Sequence, residues 1–281
     1  MTALETRSEH GCCGGRQGFY AHVSRETGTK MNFSVFLPPQ AQQHKVPALY
    51  FLAGLTCSDE TFMIKAGAQR YAAAAGLALV ACDTSPRGLN LPGETESWDF
   101  GAGAGFYLDA SEARWAAHYR MGSYVNLELP EVIEQHFPVL GTRRGICGHS
   151  MGGHGALVSA LRHVERWTSV SAFAPIAHPV AVPWGQKAFG NYLGSDRARW
   201  AEYDASLLLQ TRVHPSVMLV DQGLDDAFLA SQLHVDALED AAKQSGQQLR
   251  LRRHVGYDHS YWFIQSFIGE HVAHHAGLLL A

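Results

Sequence analysis

The motif Gly148-x-Ser150-x-Gly152 constrains the fold of this chain more than any other feature of its sequence. In this motif the serine occupies a strained turn between a β-strand and an α-helix, and the glycines allow neighbouring backbone to approach it closely. The context fits, because a short apolar run ends at Cys147 and a helical apolar face begins at Ala156. We therefore predict a strand, a sharp turn that carries an exposed serine, and a helix. An ordinary glycine-rich turn is the alternative.

Short apolar runs alternate with longer periodic stretches along the rest of the chain. This alternation is typical of strands joined by helices in a mostly parallel sheet, which is an α/β fold. Four runs bounded by Gly, Pro or Asp are predicted as buried strands, at residues 49–52, 77–82, 170–173 and 217–220. Alternating residues at 32–37 indicate an antiparallel edge pair before the parallel part. A four-residue spacing predicts one apolar helix face formed by Leu229, Leu233, Ala237 and Ala241.

Composition and charge limit the class of protein. The 281 residues are 46% hydrophobic and 17% charged, as in a globular chain long enough to bury a large core. No repeat, charge block or linker divides them, so we expect a single domain over residues 1–281. The 22 basic and 26 acidic residues give a net charge of −4. Nucleic-acid-binding proteins carry an excess of basic residues, so this class is excluded, and an anionic small substrate must be met by a few placed cations.

The cysteines and apolar segments predict the compartment. The five cysteines are odd in number and irregularly spaced, which favours a reduced interior over a disulfide framework. Cys12 and Cys13 are assigned no function. Residues 1–20 lack the apolar segment of a secretory signal. The longest strongly apolar stretch, residues 71–82, is shorter than the roughly 20 residues that a membrane span needs. We therefore expect a cytoplasmic protein with no membrane contact.

A serine hydroxyl becomes an effective nucleophile only when a base takes its proton. In hydrolases with this strand-turn-helix motif, the partners follow the serine in the order acid, then histidine. Asp225 and Asp226 both follow the predicted strand 217–220, and His259 lies in a polar loop that opens an aromatic helix. The required order is satisfied, with either aspartate as the acid.

Other histidines compete with His259, because the chain contains 16 of them. His254 is predicted to close a strand. His271, His274 and His275 lie in the last helix, where we expect a solvated end at which cations meet the negative end of the helix dipole. Their spacing is also that of a metal pair, but no carboxylate or cysteine nearby in the sequence completes a ligand set. His259 remains the best base.

Four segments resemble the S-formylglutathione hydrolase (esterase D) family: YFLAGLTC at residues 50–57, GHSMGG at 148–153, DQGLDDAFL at 221–229 and YDHSY at 257–261. The likeness runs nearly from end to end. It implies an α/β-hydrolase fold, with antiparallel N-terminal strands and helices on both faces of the sheet. It also implies hydrolysis of the thioester S-formylglutathione in formaldehyde detoxification, no metal or organic cofactor, and a homodimer. Matched by position, it gives Ser150 as nucleophile, His259 as base and Asp226 as acid.

The same fold places two backbone donors around a tetrahedral oxyanion, one after the nucleophile and one after the third strand. These positions correspond to Met151 and Leu55, while the motif fixes His149 beside the nucleophile. Cys57 lies two residues past Leu55, so its thiol is expected beside the acyl pocket. Two interpretations remain open for Cys57: a redox-sensitive gate, or a small apolar packing residue.

Glutathione carries two carboxylates, so a net-negative protein needs local cations to bind it. The candidates are Lys187 and Arg87, and the Arg87 guanidinium can donate two hydrogen bonds to one carboxylate. Either residue could instead be a solvated surface charge. Trp184 is expected to wall the acyl pocket, with a buried core position as the alternative. Two other functions remain: a general short-acyl carboxylesterase, and a non-catalytic binding protein of the same fold.

The glycine-rich residues 101–105 superficially match a nucleotide-binding loop. We reject that function because no strand precedes them, no helix clearly follows and the third glycine is misplaced. The aromatic residues around them, including Trp98 and Phe106, indicate a packed loop near the rim of the site.

Overall fold

The computed structural model describes residues 3–281. Its strands are β1 (Glu5–Cys12), β2 (Gly15–Val23), β3 (Lys30–Leu37), β4 (Val46–Leu52), β5 (Ala78–Cys82), β6 (Val139–His149), β7 (Ser169–Phe173), β8 (Met218–Gly223) and β9 (Leu249–His254). Its α-helices are α1 (Thr61–Lys65), α2 (Gln69–Ala75), α3 (Met121–Ser123), α4 (Leu129–His136), α5 (Met151–Arg162), α6 (Pro183–Tyr192), α7 (Arg197–Ala201), α8 (Ala205–Leu208), α9 (Val235–Ser245) and α10 (Tyr261–Leu279). Short 3₁₀ segments at Pro39–Gln42 and Pro179–Ala181 and π-helical turns at Tyr124–Glu128 and Leu229–Leu233 complete the set.

The strands form one sheet in the order β1-β2-β3-β5-β4-β6-β7-β8-β9. The pairs β1/β2, β2/β3 and β3/β5 are antiparallel, and all pairs from β5 to β9 are parallel. The predicted α/β-hydrolase architecture, with antiparallel N-terminal strands, is confirmed. One detail is wrong: the strand at residues 32–37 is not at the edge, because β1 and β2 lie outside it. This strand, β3, pairs with β2 on one side and with β5 on the other.

Helices cover both faces of the sheet. On one face, α10 packs on α2 and across β6, β7 and β8. On the other face, α5 packs across β6 and β7 and contacts α8, while α9 contacts α8 and β9. The parallel strands β4, β5, β7 and β8 are buried along their whole length, which explains why they read as apolar runs in the sequence. Their carboxyl ends meet at one edge of the sheet.

The single helix predicted over residues 229–241 is wrong. The π-helical turn ends at Leu233, and His234 adopts a left-handed conformation with φ of +48° before α9 begins at Val235. The buried face of α9 contains Val235 and Leu238 rather than Ala237. A four-residue spacing continues across such a break, so the pattern did not reveal it.

The predicted solvated end of the last helix is also wrong. His271 and His275 are fully buried against the sheet. The hydroxyl of Ser171 lies 2.8 Å from Nε2 of His275 and 2.9 Å from Nδ1 of His271. Ser169 contacts Nδ1 of His275 at 2.6 Å, and the carboxylate of Asp221 lies 3.3 Å from Nε2 of His271. These histidines join α10 to β7 and β8 through a buried polar network.

Between residues 3 and 281, no helix combines the length and the apolar character that a crossing of the bilayer requires.

Candidate active site

Ser150 lies at the turn between β6 and α5, with a left-handed φ of +58°. Its backbone N–H donates to the carbonyl oxygen of Phe173 (2.9 Å), which holds the turn against β7. Both motif glycines are required: a Cβ on Gly148 would lie 2.0 Å from the Gly152 carbonyl oxygen, and a Cβ on Gly152 would lie 1.9 Å from that of Leu52. The predicted strand, turn and helix are present, and close backbone packing maintains the strained conformation of the serine.

His259 and Asp226 meet at the ends of β9 and β8. Nδ1 of His259 lies 2.5 Å from Oδ2 of Asp226, whose side chain is fully buried. The other carboxylate oxygen of Asp226 accepts the backbone N–H of Phe228 at 2.8 Å. Asp225 is instead exposed and accepts the backbone N–H of Gly256. Of the two adjacent aspartates, the structure therefore joins Asp226 to the histidine.

A cavity of about 240 Å³ lies where the carboxyl ends of β4, β6, β8 and β9 meet. Ligand sites in open α/β sheets occur at this edge. Ser150 and His259 both line the cavity, although no hydrogen bond joins their side chains here. The other lining residues are Gly54, Leu55, Cys57, Trp98, His149, Trp184, Phe228, Ser260 and Tyr261.

Two backbone N–H groups are available beside the serine. Leu55 lines the cavity, and Met151 is the first residue of α5, where a helix has unpaired N–H groups. Within the described residues, neither N–H donates to another protein group. The N-terminal end of α5 also carries partial positive charge. Of these two residues, Leu55 lines the same cavity as Ser150, and Met151 directly follows Ser150 in the chain.

The loop that carries Leu55 is braced by Arg87. The Arg87 guanidinium binds Asp83 through Nε (2.8 Å to Oδ2) and donates from Nη2 to the Cys57 carbonyl oxygen (2.9 Å). Arg87 does not line the cavity. Asp83 already occupies the Nε and Nη2 groups that we expected to bind a substrate carboxylate. Asp83 precedes Arg87 by four residues, and this spacing is visible in the sequence.

The glycine-rich residues 101–105 support the same loop. The backbone N–H of Thr56 donates to the Gly103 carbonyl oxygen (2.9 Å), and Gly103 N–H donates to the Ser85 hydroxyl (2.7 Å). A Cβ on Gly103 would lie 3.2 Å from Cα of Thr56, and its φ is +80°. The segment is the packed loop that its aromatic neighbours predicted, and Trp98 lines the cavity beside it.

Lys187 and Trp184 both lie on α6, but only Trp184 lines the cavity. The Lys187 ammonium is paired with Asp99 and donates to the Ser97 hydroxyl (2.7 Å), so its charge is largely neutralised. Trp184 lines the cavity, with its ring edge-to-face against Trp98 at 5.6 Å between centroids. Trp184 thus lies in the site, whereas the charge of Lys187 is directed to a neighbouring carboxylate.

His149 and Cys57 both line the cavity in uncharged form. The ring of His149 lies 4.5 Å from that of His259, and burial together with this neighbour holds the pKa of His149 well below its usual range. Burial also raises the pKa of the Cys57 thiol. A neutral imidazole and a protonated thiol therefore border the reacting groups, and neither adds charge beside His259.

Lys65 lies near the cavity, although its sequence position did not indicate it as a candidate site residue. Its ammonium lies 5.7 Å from the ring centroid of Tyr261, which lines the cavity. No ion pair between residues 3 and 281 includes Lys65, unlike Lys187. Lys65 also has no acidic residue three or four positions away in the sequence, and this was the available signal.

Comparison with known proteins places this geometry in context. The family model described as "Putative esterase" matches residues 24–274. The chain is 50% identical to the S-formylglutathione hydrolase of Mus musculus over 281 residues, covering 99% of this chain and 100% of the relative. It is 50% identical to that of Paracoccus denitrificans over 274 residues, covering 98% of each chain. The solved S-formylglutathione hydrolase of Agrobacterium tumefaciens superposes with a TM-score of 0.96 at 44% identity, covering 98% of this chain and 99% of that one.

Proposed function

The chain belongs to the S-formylglutathione hydrolase family of esterases, and we propose from this membership that it hydrolyses S-formylglutathione to glutathione and formate. One observation supports the proposal most strongly. Ser150, on its strained turn, lines the same cavity as His259, and His259 is hydrogen-bonded to the buried Asp226. A nucleophile, a base and a group that orients the base are the parts that acyl transfer requires.

Acylation begins at the Ser150 hydroxyl. Its Oγ attacks the formyl carbon while His259 accepts the hydroxyl proton at Nε2, the ring nitrogen that does not face Asp226. The carbonyl oxygen becomes an oxyanion and accepts hydrogen bonds from the backbone N–H groups of Leu55 and Met151. The carbon–sulfur bond then breaks, and His259 returns the proton to the departing glutathione thiolate. Ser150 is left as a formyl ester.

Deacylation repeats these steps with water. His259 takes a proton from water, the hydroxide attacks the formyl ester, and the same two N–H groups stabilise the second oxyanion. Formic acid leaves as His259 returns the proton to Ser150, and the acid then ionises to formate in solution. Asp226 stabilises the imidazolium in both halves, since its buried carboxylate lies 2.5 Å from Nδ1.

The neutral state of His149 supports this assignment of roles. A second imidazolium whose ring lies 4.5 Å from that of His259 would oppose protonation of the base. Burial keeps the pKa of His149 low, so the positive charge that develops during the reaction stays on His259. His149 therefore shapes the cavity without competing for the proton.

We propose Lys65 as the cation that receives a glutathione carboxylate. Its ammonium is unpaired within the described residues and lies over Tyr261 at the cavity. The two cations first considered are committed elsewhere, Arg87 to Asp83 and Lys187 to Asp99. An unpaired ammonium loses less by binding a new carboxylate than a paired one. Trp98 and Trp184 supply an apolar wall of the cavity that Tyr261 also lines.

Turnover of two substrates tests the proposed activity. We expect kcat/KM to be higher for S-formylglutathione than for an aryl acetate, with measurable activity on the ester because the same serine attacks both. A preference for the aryl ester would favour a general short-acyl carboxylesterase. Absence of Ser150 labelling by an organophosphonate, measured by intact mass, would favour the non-catalytic binding protein.

The cellular setting follows from the chemistry. We propose that the chain acts in the cytoplasm in formaldehyde detoxification, since the thioester joins a formyl group to a cytosolic thiol and the cysteines between residues 3 and 281 are all free. We also propose a homodimer, which light scattering of the purified chain would measure directly. A monomer at micromolar concentration would contradict this assembly.

A further inference from the structure

The turn between β1 and β2 contains an unusual residue. Cys12 pairs with Gly15 across the hairpin, so Cys13 and Gly14 form a two-residue loop. Both have positive φ, +50° for Cys13 and +74° for Gly14. This is the pattern of a type I′ turn, whose first position favours asparagine or glycine. A cysteine there carries a conformational cost that the turn itself does not require.

The strained position brings two thiols together. The sulfur atoms of Cys12 and Cys13 lie 3.8 Å apart. Cys13 is exposed and Cys12 is half-buried, so solvent reaches the pair. The other described cysteines are Cys57 in the active-site cavity and the buried Cys82 and Cys147. The hairpin therefore carries an accessible vicinal dithiol.

The sulfur separation fits metal chelation better than a disulfide. Two sulfurs that each lie about 2.3 Å from a tetrahedral metal ion are about 3.8 Å apart, which is the separation observed. A disulfide requires sulfurs about 2.0 Å apart and Cα atoms at least about 4.4 Å apart, whereas adjacent Cα atoms lie only about 3.8 Å apart. Chelation thus needs no movement of the backbone, and oxidation of the pair would strain it.

We propose that Cys12 and Cys13 form a bidentate site for a soft, thiophilic metal ion. Thiolates select such ions over hard cations. Within residues 3–281 no cluster of three or more His, Cys, Asp and Glu side chains could hold a metal ion, so the two thiolates are the protein ligands and solvent completes the coordination. Each bound ion displaces the thiol protons, two per chain.

Titration of the full-length protein with cadmium chloride tests the site. We expect one ion per chain, release of two protons at pH 8, and a thiolate-to-metal charge-transfer absorption. Cys12→Ser and Cys13→Ser should each weaken binding by at least about 100-fold, because the second thiolate no longer binds intramolecularly. The matched control, Cys57→Ser, removes the other accessible thiol and should leave this binding unchanged.

A further variant distinguishes a loss of cadmium binding from a loss of protein stability. Cys13→Gly removes the strain at positive φ, so it should raise the melting temperature while weakening cadmium binding as much as Cys13→Ser does. Unchanged cadmium binding in either serine variant would overturn the proposal. It would also be overturned if the wild-type protein bound no cadmium under conditions in which dithiothreitol binds it. Loss of binding in Cys57→Ser alone would assign the ion to the active-site cavity instead.

Discussion

Asp225 and Asp226 show how far a residue's surroundings decide its role. The two carboxylates are adjacent in the sequence, but only that of Asp226 is buried and faces the imidazole of His259. The Asp225 carboxylate accepts a backbone N–H at the exposed end of the same loop. A charge that stabilises an imidazolium must lie next to it in a site of low dielectric, and only Asp226 meets this condition.

Exchange of each aspartate for its amide tests this assignment. Asp226→Asn should lower kcat/KM for S-formylglutathione by about 10⁴-fold, because an amide neither stabilises the imidazolium nor fixes the tautomer of His259. Asp225→Asn is the matched control and should stay within a few-fold of wild type. Steady-state kinetics at pH 8 measures both. A larger loss in Asp225→Asn than in Asp226→Asn would reverse the assignment.

The unpaired ammonium of Lys65 leads to a second prediction at this scale. Lys65→Ala should raise KM for S-formylglutathione by about 3-fold to 10-fold, as expected for one partly solvated ion pair. KM for a neutral aryl acetate should not change. Lys187→Ala is the control, since the charge of Lys187 is held by Asp99. Equal effects of Lys65→Ala on both substrates would remove it from glutathione recognition.

At the scale of elements, the oxyanion donor Leu55 belongs to a loop that other segments hold in place. Arg87 binds the Cys57 carbonyl oxygen, and Gly103 accepts the N–H of Thr56. A loop outside helices and strands needs such contacts to hold a donor within hydrogen-bond distance of a developing charge. Arg87 is therefore a positioning residue for the loop and makes no contact with the cavity.

Arg87→Gln separates a positioning role from substrate binding. We expect kcat to fall by about 10-fold to 100-fold on both the thioester and a neutral aryl ester, because both reactions form an oxyanion. KM should change little for either. Arg199→Gln, which breaks a surface pair with Asp196, is the control. A rise in KM confined to the glutathione thioester would show instead that Arg87 binds a substrate carboxylate.

The elements also show what sequence could and could not predict. The buried strands and the nucleophile turn were predictable, because continuous apolar runs and the two motif glycines follow directly from packing. The break at His234 was not, since apolar spacing continues across it. The burial of His271 and His275 depends on Ser169, Ser171 and Asp221, which lie on other strands. The ion pair between Lys187 and Asp99, which lie 88 residues apart in the sequence, likewise could not be predicted without the folded structure.

At the scale of the whole molecule, the histidines couple stability to pH. Burial lowers the pKa of eight of them: His22, His149, His154, His163, His214, His271, His274 and His275. In the unfolded chain they titrate near 6.5, so below this pH the unfolded state binds more protons and the folded state loses stability. His178 works in the opposite direction, because Asp204 raises its pKa, but it is a single group.

Urea unfolding at two pH values measures this coupling. The pKa of His154 is lowered to about 4, so this residue alone should reduce the free energy of unfolding by about 2 kcal/mol between pH 7.5 and pH 5.0. The other buried histidines add to this loss. Stability should therefore fall steeply as the pH drops below 6.5. An unfolding free energy that is equal at the two pH values would contradict the buried, neutral state of these side chains.

The central claim is that Ser150 is the nucleophile of a thioester hydrolase. The most direct test compares kcat/KM of wild-type protein and Ser150→Ala on S-formylglutathione, with circular dichroism to verify that the variant is folded. Removal of the nucleophile should lower kcat/KM by at least about 10⁴-fold. A folded Ser150→Ala protein that keeps near-normal thioester turnover would contradict the mechanism.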